Sequence, residues 1–260
     1  MISWVTAAVA GAVGLLVGDY LTVVIERVPE ATTVTGSARE LGPAPAGRCS
    51  RCGTRLRVTD LVPLASGALA GGRCRYCGER YGRWHPAAEA LTAVTFALIG
   101  LRFGASPVLP AYCYLAAVAV ALAFIDVARQ RLPDFLTLPS YLVAIVALGA
   151  AAPFVADGGR HLLPAAIGLG GALAFYLTLA LVYPAGIGWG DVKLSGLLGL
   201  YLGWIGVGAL VIGLAAGFVL AAGAAVVMLA TGQATRKSQI AFGPFMLAGA
   251  LVVIIATGLS

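Results

Sequence analysis

Apolar positions along this chain fall in long, nearly unbroken runs. Such runs lie near residues 2–25, 87–103, 107–126, 135–155, 162–183, 191–206, 207–230 and 240–258. Most are long enough to approach or exceed the roughly 20 residues that cross a bilayer core as a helix. The pattern predicts an all-α polytopic membrane protein with about eight transmembrane helices. Only glycines separate the runs at 191–206 and 207–230. Prolines 107, 133, 164 and 244 fall near predicted helix starts, where a missing N–H does least harm. Residues 27–86 form the one long polar stretch, with little helical or strand periodicity. The chain therefore divides into a first helix (1–26), a small polar domain (27–86) and a second membrane region (87–260). The first run does not read as a cleaved signal peptide, because no Lys or Arg precedes it.

Composition sharpens this picture. The 260 residues are 60% hydrophobic and 11% charged, whereas soluble domains carry about 25% charged residues. Of the 17 Lys and Arg, ten lie between Arg27 and Arg83. With the N-terminus outside, Arg129, Arg131, Lys193, Arg236 and Lys237 also fall on the inner side, leaving only Arg102 and Arg160 outside. The positive-inside rule thus sets the polar domain in the cytoplasm. The basic block fits a membrane face and anionic lipid, and no nucleic-acid partner is expected.

The polar domain needs a staple to fold, and its cysteines offer one. Cys49-x2-Cys52 and Cys74-x2-Cys77 are separated by 21 residues. Two such knuckles can present four thiolates to a structural zinc. A pair of disulfides is the alternative; the cytoplasmic placement favours zinc. Cys113 lies alone in an apolar run and reads as a small buried hydrophobe.

Few charged groups interrupt the membrane runs. The stretch Gly186-Ile187-Gly188-Trp189-Gly190-Asp191-Val192-Lys193-Leu194 sets a carboxylate and an ammonium at the start of an apolar helix. An Asp at the centre of a membrane helix costs about 2.5–3.5 kcal/mol on insertion scales. Such a residue is a functional candidate, although an Asp at a helix start is also ordinary. Gly188 and Gly190 would permit unusual backbone angles and close approach. Asp126 closes the run at 107–126, and the predicted topology brings it to the same cytoplasmic depth as Asp191. Two neighbouring carboxyl groups that share a proton can hydrolyse a peptide, one acting as base on water and the other polarising the carbonyl. His85 and His161 are predicted on opposite membrane sides, which disfavours a histidine-based route. Asp134, just after Pro133, suits a helix N-terminus. Lys193 could influence Asp191, but residues two apart on a helix do not face each other, so a snorkelling interfacial lysine is the simpler reading. Asp19 is expected to face the helix bundle. An ion- or proton-coupled transporter with a cytoplasmic zinc module is the competing class, yet no acidic relay crosses the predicted spans.

These residues resemble a known family. Gly188-Trp189-Gly190-Asp191 is similar to the G-x-G-D motif of membrane aspartic proteases, and Gly186 to Leu194 resembles the bacterial type IV prepilin peptidases. Asp126 with Leu132-Pro133-Asp134 resembles the segment around that family's first catalytic Asp. The cysteine pairs, Asp60 with Pro63, Pro86 with Glu89, and Gly243-Pro244-Phe245 also match, in order. Gly18-Asp19-Tyr20-Leu21-Thr22 departs from the family's frequent Gly-Ser-Phe-Leu-Asn. The resemblance implies Asp126 and Asp191 as the catalytic pair; Gly188, Gly190, Lys193 and Asp134 are the candidates for active-site support. It implies prepilin or pseudopilin substrates, cut after a Gly at the end of a basic leader at the inner membrane. It also implies S-adenosylmethionine as methyl donor in those members that methylate the new N-terminus.

Overall fold

The computed structural model describes residues 2–27, 54, 76–77, 84–184, 186–233 and 241–257. Among them the chain is all-helical, with eight α-helices and no strand. These are α1 (Ile2–Arg27), α2 (Trp84–Phe103), α3 (Leu109–Arg129), α4 (Asp134–Ala151), α5 (Gly158–Val182), α6 (Trp189–Ile205), α7 (Val207–Ala230) and α8 (Gly243–Thr257). A short 3-10 turn, Ala152–Phe154, extends α4. Six helices are long and apolar enough to cross a membrane: α1 to α5 and α7. The 15-residue α8 is shorter. At 17 residues, α6 spans about 26 Å, somewhat less than a typical hydrocarbon core. Cys49, Cys52 and Cys74 lie outside the described residues, as does most of 27–86; Cys77 lies on an exposed turn.

The bundle is organised around α3 and α6. Buried residues run almost continuously along α3 from Ala111 to Leu122, and along α6 from Asp191 to Trp204 except at Lys193. By contrast, only Ala209, Gly213 and Gly217 are buried on α7. Such all-round apolar helices sort by burial rather than by amphipathic stripe. Both α3 and α6 pack against α4 and α8. At one end they are tied directly, where the Tyr112 hydroxyl donates to the Tyr201 carbonyl at 3.0 Å. Their opposite ends carry Asp126 and Asp191.

Small residues set how closely the helices approach. Along the α5–α6 seam, Gly168 packs on the Gly199 carbonyl and Gly203 on that of Pro164, so a methyl group at either glycine would collide with backbone. Dispersion between closely approached helices supplies much of the association in lipid, where the hydrophobic effect does not. Pro164 departs from the expectation of a position at a helix start. The helix begins earlier, at Gly158, so Pro164 lies inside α5. Gly206 breaks α6 from α7 with φ +147°, a conformation that L side chains rarely adopt.

Candidate active site

Asp126 and Asp191 reach one site from two helices. Asp126 sits one turn before the end of α3 and is 6% exposed. Its Oδ2 accepts the N–H of Gly243 at 3.1 Å. Gly243 is the first residue of α8, so Asp126 occupies the N-terminal end of a helix from which unbonded N–H groups point outward. A methyl group at position 243 would lie 2.6 Å from that oxygen. The glycine is therefore required by close approach.

Asp191 is the third residue of α6 and is 9% exposed. Its Oδ2 accepts the Gly188 N–H at 3.3 Å, while its own N–H donates to the Gly188 carbonyl at 3.0 Å. This reciprocal pair fixes the helix start as a capping box does. The carboxylates of Asp126 and Asp191 lie within electrostatic reach of each other.

Leu132, in the short turn between α3 and α4, joins the two halves. A methyl group at Gly190 would lie 2.9 Å from the Leu132 Cβ, and one at Gly243 would lie 3.5 Å from its Cδ1. The residue before Asp191 and the residue holding Asp126 thus meet on one side chain. The turn returns sharply because Gln130 adopts a left-handed conformation, φ +50°, and donates its N–H to the Asp126 carbonyl at 2.7 Å.

Gly190 acts through space rather than through an unusual backbone angle, and Gly188 is strained in neither way. Gly188 has φ −76° and ψ 150°, which any residue adopts. Gly190 likewise has no positive φ. Lys193 does not pair with Asp191. Its Nζ lies 2.7 and 2.8 Å from the two carboxylate oxygens of Asp134, in the first turn of α4. The Tyr141 hydroxyl donates to the Lys193 carbonyl, a second tie between α4 and α6.

The histidines lie elsewhere. His161 Nδ1 is 2.8 Å from the Trp204 carbonyl, and its ring stacks on Trp204. Trp204 lies thirteen positions after Asp191 along α6, about 20 Å at the helical rise. His85 lies within electrostatic reach of the half-buried Asp19, so Asp19 belongs to the α1–α2 interface. Among the described residues, no three His, Cys, Asp or Glu side chains form a metal-binding group.

Comparison with known proteins accounts for this arrangement. The family described as "Type IV leader peptidase family" matches residues 113–259. The chain belongs to it. The "Bacterial Peptidase A24 N-terminal domain" matches residues 12–103, ending with α2, and the other match begins just inside α3. Similar proteins named prepilin leader peptidase/N-methyltransferase occur in Neisseria gonorrhoeae, 32% identical over 90% of this chain and 85% of the relative. Those of Pseudomonas aeruginosa and Burkholderia pseudomallei are 30% and 34% identical, over 90% and 92% of this chain and 84% and 82% of the relatives. No solved structure matches the chain.

Within this family member, Leu132 and Gly243 fall in segments that resemble the family's, but nothing local names the groups they meet. Leu132 reads as a loop apolar residue, and Gly243 as part of a helix start. For Gly243, the pattern Gly-Pro at a helix start is visible, but nothing nearby names a carboxylate 117 positions away as its partner.

Proposed function

We propose that the chain is a membrane aspartic endopeptidase that removes the basic leader of type IV prepilins or pseudopilins. The observation that carries this reading is the convergence of two buried carboxylates, Asp126 from the C-terminal end of α3 and Asp191 from the N-terminal start of α6. In the reaction, one carboxylate takes a proton from a water whose oxygen attacks the scissile carbonyl. The other, protonated, donates to the carbonyl oxygen. Collapse of the tetrahedral intermediate breaks the C–N bond, and the departing amine takes up the proton first removed from water. The family membership supports this chemistry over that of a transporter.

The charge pattern supports an inner-membrane protein with about eight crossings, an outer N-terminus and cytoplasmic 27–86. A basic leader would then remain in water while the substrate's apolar helix lies against the bundle. Cys49, Cys52, Cys74 and Cys77 would hold a structural zinc, supplying the staple that the polar domain lacks. The exposed turn at Cys77 suits a zinc knuckle. The relatives' names support a second reaction, methylation of the new N-terminus with S-adenosylmethionine as donor.

The test is cleavage of a prepilin-like reporter in membranes by wild type, Asp126→Asn and Asp191→Asn. Both variants keep size and lose the ionisable proton. The expected outcome is cutting at the leader boundary by wild type and none by either variant, with all three inserted equally. Normal cutting by either variant overturns the assignment.

A further inference from the structure

Tyr176 lies on α5, outside the helices that carry the two carboxylates, and is 0% exposed. Its ring stacks on Phe218 of α7 with centroids 5.6 Å apart and approaches Phe242, the residue before Gly243, at 6.3 Å. Phe218 and Phe242 in turn lie 5.1 Å apart. A phenylalanine would complete this aromatic cluster equally well. The hydroxyl is the exception: it is fully buried and has no hydrogen-bond partner among the described residues. A buried hydroxyl left unpaired is destabilising, so its retention calls for a use.

Two features of the surroundings point to that use. The Tyr176 hydroxyl lies within electrostatic reach of Asp191. Asp191 has its Oδ2 engaged by the Gly188 N–H, which leaves its other oxygen to be oriented by something else. The cluster also abuts Gly243 through Phe242, so it backs the Asp126 side of the site as well.

We propose that Tyr176 is a positioning residue for the peptidase reaction: its buried hydroxyl donates a hydrogen bond across one water toward the Asp191 carboxylate and fixes its orientation toward Asp126. This rests on the reading of Asp126 and Asp191 as the catalytic pair. A hydrogen bond to a charged group is stronger than one between neutral groups. Its loss should therefore appear in turnover rather than in substrate binding.

The experiment compares wild type with Tyr176→Phe in purified form, measuring kcat and KM separately on a prepilin reporter. Thermal unfolding is followed on the same samples, and Asp126→Asn and Asp191→Asn are run beside them. The expected result is a fall in kcat of about tenfold, KM within about twofold, and folded protein at the wild-type level at the assay temperature. An unchanged kcat with both Asp variants dead overturns the tyrosine's role and leaves the carboxylate pair intact. So does a loss of activity matched by loss of folded protein, or a raised KM with kcat preserved. Normal cutting by either Asp variant removes the catalytic pair, and this proposal with it.

Discussion

Asp126 and Asp191 are held by the same device in two different ways. Each is a buried carboxylate whose Oδ2 accepts a glycine N–H at the start of a helix. For Asp191 the helix is its own, and the donor lies three residues back. For Asp126 the helix is α8, and the donor lies 117 positions ahead. The first arrangement is a local capping interaction that forms whenever α6 forms. The second exists only once α3 and α8 have packed. One carboxylate is therefore set by secondary structure and the other by tertiary structure, and the two should fail differently when their glycines are changed.

The largest difference is expected between Gly243→Ala and Gly188→Ala. At 243 the added methyl would lie 2.6 Å from the Asp126 Oδ2, in a buried place where backbone and carboxylate must separate. A displacement on the order of 1 Å in a reacting group can cost about 100-fold in rate, and a loss of that size is expected for Gly243→Ala. At 188 the methyl would lie 3.5 Å from the Asp191 Oδ2, an ordinary contact, on a backbone with φ −76°. Alanine is a poorer N-cap than glycine, so about a threefold loss is expected there. Reporter cleavage at matched protein level measures both. Equal losses in the two variants would erase the distinction between a local and a tertiary holder.

An intermediate effect is expected at Gly190, where the obstacle is a side chain rather than a carboxylate. The methyl of Gly190→Ala would lie 2.9 Å from the Leu132 Cβ. Leu132 belongs to a turn between helices, so part of the strain can be relieved by movement. About a tenfold loss is expected. Shortening the obstacle should restore activity: Gly190→Ala with Leu132→Gly should cut faster than Gly190→Ala alone. No such rescue would show that Gly190 is needed for something other than room for Leu132.

The same distinction explains what could be read from residue order. Bilayer-length apolar runs follow directly from the need to satisfy every backbone group inside lipid, so the helices were legible. The start of α6 was legible too, because its glycines, Asp191 and the apolar run after it are neighbours in the chain. Helix ends were less so, as Pro164 shows: a proline inside a first or second helical turn leaves no sign of how far upstream the helix began. Gly243 and Leu132 stood in segments that resemble the family's, but their contacts with Asp126 and with a methyl at 190 were not legible, since these depend on which helices pack together. Lys193 stands between these cases. Its spacing from Asp191 correctly denied that pair, but its partner, Asp134, comes from another helix.

That Lys193–Asp134 pair should give the smallest effect. It joins the N-terminal turns of α4 and α6 and engages both carboxylate oxygens, at 2.7 and 2.8 Å. Yet the two side chains are 37% and 58% exposed, so water screens the attraction and the pair is worth about 0.2–1 kcal/mol. The Tyr141 hydroxyl on the Lys193 carbonyl and the glycine seam between α5 and α6 would still hold α6 in place without it. Asp134→Asn and Lys193→Met should each leave reporter cleavage within about fivefold of wild type. A double-mutant cycle on thermal unfolding should then give a coupling of about 0.5 kcal/mol. Zero coupling would mean that the contact is incidental. A coupling on the order of 3 kcal/mol would mean that this corner is drier than its exposure indicates, and that α4 is locked to α6 by charge rather than by packing.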